Sequence, residues 1–197
     1  MIEVNIELEE ETKTYEFPTS WDEVSVEQFA KIYTASDTKY EGILGSVKVM
    51  SAISGIDENI LMMMDINDFR NLADQLSFVN QDVPKQDVDC IEIDGEKYYL
   101  YSEFNKFTTG EIITIELLLE QGGGNIFPVM LELLCVFLRK KKEDGSFEKY
   151  NTNFMNRKDL FRNIPISQIF HIFAFFLTIN NSSNKNIVDY LEKISHK

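Results

Sequence analysis

Val4, Ile6 and Leu8 alternate with polar residues, which places them on one face of an extended segment. The polar run Glu9-Glu10-Glu11-Thr12 turns the chain, and Thr14-Tyr15-Glu16-Phe17 resumes the alternation. This predicts a β-hairpin over residues 3–17, ended by Pro18-Thr19-Ser20. The period then becomes helical. Ser25 followed by Gln28 is a capping box, in which hydroxyl and amide each accept a bond from an orphan backbone N–H. Val24 and Phe29 have the spacing of a hydrophobic staple around it. A helix is predicted from Val26 to Thr34, with further helices over Ile43–Ser54, Glu58–Met64 and Ile66–Phe78. Asp57 and Asp65 stand at N-cap positions.

After a loop over residues 80–87 the same order begins again. Cys90–Ile93, the Asp94-Gly95 pair and Lys97–Tyr101 predict a second hairpin. Thr108 and Glu111 form a second capping box, with Phe107 and Ile112 as its staple. Helices are predicted over Thr109–Gln121 and Phe127–Lys140, separated by Gly122-Gly123-Gly124-Asn125. Residues 142–153 read as a polar excursion with a hairpin around Asp144-Gly145. Helical turns over Arg157–Arg162 lead to an apolar helix, Ile166–Ile179. A polar turn, Asn180–Asn186, and an amphipathic helix, Ile187–Ile194, complete the pattern.

The two runs match by residue type. At an offset of 83, Tyr15 meets Tyr98, Trp21 meets Phe104, Ser25 meets Thr108 and Ile32 meets Ile115. Beyond the excursion the offset is 100, where Leu61 meets Phe161, Ile66 meets Ile166 and Phe69 meets Ile169. The expected fold is α+β and mostly helical, in two related halves, 1–88 and 89–197. Each half would be a β-hairpin followed by a capped short helix and packed helices.

Charge narrows the roles. The 33 Asp and Glu outnumber the 19 Lys and Arg, for a net charge of −14. Residues 1–88 carry 18 acids against 6 bases, so most of the excess lies in that half. Such a surface repels phosphate, and no nucleic-acid partner is expected. The one basic run, Arg139–Lys142, reads as cations closing a helix C-terminus. No membrane partner is expected either. The longest apolar region, Ile164–Ile179, falls short of the roughly 20 residues that a spanning helix needs and is interrupted by Pro165, Ser167, Gln168 and His171. The start of the sequence lacks the basic segment of a signal peptide, and two cysteines suggest a reducing compartment.

Little in the sequence points to catalysis. Two Cys and two His are too few for a Cys/His zinc site, and no cofactor, metal or catalytic residue is expected. The Gly122–Gly124 run lacks the Lys and hydroxyl of a phosphate loop. His171 and Cys135 both lie in apolar surroundings, where burial raises a thiol pKa instead of activating it. Met62-Met63-Met64 cannot all face one side of a helix, so at least one should be exposed and offer an adaptable contact. Phe175 and Phe176, on a helix that is apolar all round, are the other expected partner contacts.

The segment Trp21–Phe29 resembles one found in small structural and assembly proteins of tailed bacteriophages, where a short strand leads into a Trp and a hydroxyl-capped helix. Ile93–Leu100 followed by Phe107–Glu111 is similar to the same pattern. The resemblance covers about a third of the chain. It implies a non-enzymatic virion or assembly component: a tail or head–tail protein, a packaged cargo protein, or a tail assembly chaperone. Its partners would be other virion or tail proteins, or further copies of itself. Its place would be the virion, or the host cytoplasm during assembly. An acidic adaptor not retained in the particle and a carboxylate-using hydrolase are the alternatives.

Overall fold

The computed structural model describes residues 1–7, 12–36, 42–86, 88 and 90–172. The fold is α+β and mostly helical, with two small antiparallel sheets among the described residues. The chain forms two compact units. One is Met1–Pro84 with Pro165–Ser167, and the other is Lys85–Ile164 with the chain from Gln168.

In the first unit, β1 (Ile2–Glu7) and β2 (Thr12–Phe17) pair antiparallel, with Ile2 opposite Phe17 and Val4 opposite Tyr15. A 3-10 turn, Trp21–Glu23, leads into α1 (Val26–Ser36). Trp21 meets Phe29 and Phe78 edge-on at 5.6 and 5.3 Å, and its indole N–H donates to the Gln81 carbonyl at 3.0 Å. This suits the indole, which buries its rings only when its N–H has a partner. The next helix, α2 (Ile43–Ser54), stops where Gly55 turns left-handed at φ 73°. Then come α3 (Glu58–Met63) and α4 (Ile66–Gln75). Asp57 and Asp65 cap them, accepting from the Asn59 and Asn67 backbone N–H at 2.8 Å. A 3-10 turn, Ser77–Asn80, replaces the last part of the helix predicted to reach Phe78. The backbone N–H of Ile166 donates to the Val24 carbonyl at 2.9 Å, which ties Pro165–Ser167 to this unit.

In the second unit, β3 (Ile91–Ile93) and β4 (Glu96–Leu100) are joined by Asp94-Gly95. Both turn residues have positive φ, 52° and 78°, as this two-residue hairpin turn requires. α5 (Thr109–Gln121) ends at a glycine turn, where a Cβ on Gly122 would collide with the Asn125 carbonyl. The glycine run therefore shapes a helix connection. A 3-10 turn, Phe127–Val129, precedes α6 (Met130–Phe137). The helix predicted to run to Lys140 ends at Phe137, because Leu138 and Arg139 form β5 and pair with Leu100 and Tyr99 of β4. The basic run is thus not a helix end. It enters the hairpin predicted around Asp144-Gly145, in which Lys141 bridges to Phe147 and the Lys142 N–H donates to the Ser146 carbonyl. A 3-10 turn, Thr152–Arg157, leads to α7 (Lys158–Phe161). Residues 166–172 are helical, with Ile166, Ile169 and Ile172 buried. The remainder of the predicted helix to Ile179 and the predicted helix Ile187–Ile194 lie outside the described residues.

Some element boundaries of the two halves fall at common offsets. At an offset of 83 the 3-10 turns Trp21–Glu23 and Phe104–Lys106 correspond, as do the starts of α1 and α5 and the ends of α2 and α6. At an offset of 100 the starts of α3 and α7 correspond, as do the helical starts at Ile66 and Ile166. β5 and the excursion hairpin have no counterpart among the described residues of the first half.

Both capping boxes form as spaced. Ser25 N–H donates to Gln28 Oε1 at 2.9 Å and Gln28 N–H to Ser25 Oγ at 3.2 Å. Thr108 N–H donates to Glu111 Oε2 at 2.6 Å and Glu111 N–H to Thr108 Oγ1 at 3.3 Å. Ser25→Ala and Thr108→Ala should each lower stability by about 0.5–2 kcal/mol, since each leaves a helix-start donor without its side-chain partner. Urea unfolding of the two variants checks this, and unchanged midpoints would refute it.

Candidate contact surface and a buried ionic node

The capping-box residues do more than cap. Gln28 also donates from Nε2 to the Ile53 carbonyl at 2.6 Å, in the last turn of α2. At the offset of 83, Gln28 corresponds to Glu111 and Ile53 to Val136. A carboxylate has no proton to give a carbonyl. Arg139 fills the gap: its Nε donates to the Val136 carbonyl at 3.1 Å, and its Nη2 donates to Glu111 Oε1. Glu111 and Arg139 are only 2% and 3% exposed, so the ion pair lies in the interior of the unit.

Aromatic rings enclose the guanidinium. Its carbon lies 3.9 Å from the Tyr101 ring centre and 5.5 Å from that of Phe107. Tyr101 and Phe107 stack at 5.1 Å, nearly parallel. The planar, weakly hydrated guanidinium suits such a site better than a lysine ammonium. Burial alone would raise the Glu111 pKa, but hydrogen bonds from Thr108 and Arg139 outweigh it and hold the carboxyl below its ordinary value. A cleft of about 580 Å³ opens beside the pair, with Tyr101, Phe147, Glu148 and Tyr150 among its walls. Glu148 is engaged as well. Arg157 donates to it through both terminal nitrogens at 2.6 and 2.9 Å, and the Lys140 N–H donates at 2.8 Å. Its pKa too is lowered, burial being outweighed by these bonds.

These groups are poorly suited to proton transfer. Both carboxylates are stabilised in the ionised form, which makes them weak bases and removes their use as acids near neutral pH. Burial pushes the Cys135 thiol up to about 12, so it stays protonated and unreactive. Among the described residues no group of three or more His, Cys, Asp or Glu is placed to hold a metal ion. No helix among them is long and apolar enough to cross a membrane.

The exposed apolar residues lie elsewhere. Met62 and Met63, at the end of α3, are 54% and 81% exposed, while Met64 is half-buried. Asp65 then caps α4, whose first residue, Ile66, is also exposed. At least one exposed methionine is expected and two are found, while Met64, predicted to be helical, is the extended C-cap of α3. Phe175 and Phe176 lie outside the described residues. On α5 the exposed pair Ile113 and Leu117, one turn apart, escaped the sequence reading because nearly every face of that helix carries an apolar residue. Arg139 escaped it because the local signal of a basic run before Asp144-Gly145 imitates a helix end. No family model, curated protein or solved structure matches the chain.

The ionic node sets an acid limit on stability. With Glu111 and Glu148 held below their ordinary pKa of 4.5, their contribution is complete above that value and is lost as pH falls through the lower folded-state values. Unfolding free energy should therefore drop on acidification below about pH 4.5. Glu111→Gln should be less stable at neutral pH and show a shallower acid decline. An acid limb identical to that of the parent would refute this.

Proposed function

We propose that this protein is a non-enzymatic structural or assembly component of a tailed-phage virion, built from two related halves and acting through protein contacts. The observation that carries the reading is the corner made by Met62, Met63 and Ile66. Apolar side chains grouped in solvent mark contact sites, and flexible thioethers adapt to an irregular partner. The two regions that resemble tailed-phage proteins support it, since in each a strand is followed by a 3-10 turn and a boxed helix, β2 preceding Trp21 and the turn Phe104–Lys106 following β4. The engagement of Glu111 by Arg139 and of Glu148 by Arg157 supports the non-catalytic part.

An assembly chaperone that leaves the particle is the second reading, favoured by the acidic excess of residues 1–88. Mass spectrometry of purified particles, together with affinity purification from infected cells, separates the two. Presence in the particle is the expected result and identifies a structural or cargo protein. Absence from the particle with a bound tail protein identifies a chaperone. Absence of both would overturn the proposal.

A further inference from the structure

Charge and exposure around the methionine corner specify a partner chemistry. The chain from Asp57 to Arg70 contains four carboxylates, Asp57, Glu58, Asp65 and Asp68, against one cation, Arg70, which is exposed on α4 one turn beyond Ile66. The nearest cation on α2, Lys48, lies 3.3 Å from Glu58. One helical turn beyond that ion pair on each helix stand Leu44 and Met62, both exposed, and Ile43 beside Leu44 is exposed as well. Apolar side chains thus project from the start of α2, the end of α3 and the start of α4, with carboxylates among them.

We infer that this corner docks a cationic amphipathic helix of a partner protein, its apolar face on Met62, Met63 and Ile66 and its Lys or Arg residues against Asp57, Asp65 and Asp68. The charge selects among occupants. A second copy would bring the same acidic corner and be repelled, as would an anionic lipid surface or a nucleic acid. A helix with a basic polar face gains Coulomb attraction on approach and buries its apolar stripe on arrival. The caps leave this charge in place: Asp57 and Asp65 accept backbone N–H bonds and remain exposed.

The inference rests on reading the chain as a contact module, and its test is independent of the virion experiment. The probe is a synthetic, end-capped Leu/Lys peptide of about four helical turns, titrated by fluorescence anisotropy. A Leu/Glu peptide of the same pattern is the control. The parent protein should bind the Leu/Lys peptide, more weakly as salt is raised, and should ignore the control. The charge-neutral double variant Met62→Gln, Met63→Gln should lose about tenfold or more in affinity while keeping its helical circular dichroism. Methyl spectra of methionine-labelled protein should shift at Met62 and Met63 on binding. Equal affinity of parent and variant would reduce the effect to general acidity and overturn the inference. So would binding of the control, or no binding of the Leu/Lys peptide. If the protein is found in particles but fails to bind, the helical partner falls and the assembly reading stands. Peptide binding with absence from infected-cell complexes gives the reverse.

Discussion

The last residue of each capping box helps tie the start of one helix to the last turn of the next. A helix leaves its first N–H and last C=O groups without internal partners, and burying them unpaired is costly. In the first unit one amide serves both ends: Gln28 accepts from the Ser25 N–H and donates to the Ile53 carbonyl. In the second unit Glu111 accepts from Thr108 and, lacking a donor, requires Arg139 to reach the Val136 carbonyl. The carboxylate of Glu111 is thus accompanied by a buried cation, and that cation by the aromatic rings of Tyr101 and Phe107.

The two units differ in the chain that surrounds these ties. The chain leaves α6 at Phe137 and continues as β5 beside β4, and Arg139 of that strand donates to Glu111 of α5. The excursion hairpin that follows is held by Glu148, which accepts from the Lys140 N–H and from the Arg157 guanidinium. Where Gln28 makes its contact directly, the chain ends α2 at Gly55 and turns at once into α3. The contact surface proposed for the protein lies on that shorter route, at the far end of α3.

Local chemistry was legible in the chain; long-range pairing was not. The Asp94-Gly95 turn, both capping boxes, the caps Asp57 and Asp65, the span of α2 and the exposure of methionines each depend on residues within a few positions of one another. The end of α6 depends on Leu100 and Glu111, distant in sequence, and a basic run gives no local sign of either. The offset of 83 does hold the needed clue. It aligns an amide with a carboxylate facing an equivalent carbonyl, and that mismatch calls for a donor from elsewhere in the chain. The partner contact was half legible. Helical spacing required an exposed methionine, but nothing local places Leu44 and Met62 one turn beyond the Lys48–Glu58 pair.

Urea unfolding of Arg139→Leu, and of Arg139→Leu combined with Glu111→Gln, tests the shared helix tie most directly. Arg139→Leu alone leaves a buried carboxylate without its cation and should cost about 3–5 kcal/mol. Adding Glu111→Gln removes that charge and supplies an amide able to donate to Val136 as Gln28 does to Ile53, so the double variant should regain most of the loss. If the double variant is no more stable than Arg139→Leu alone, the two units are not held by the same device.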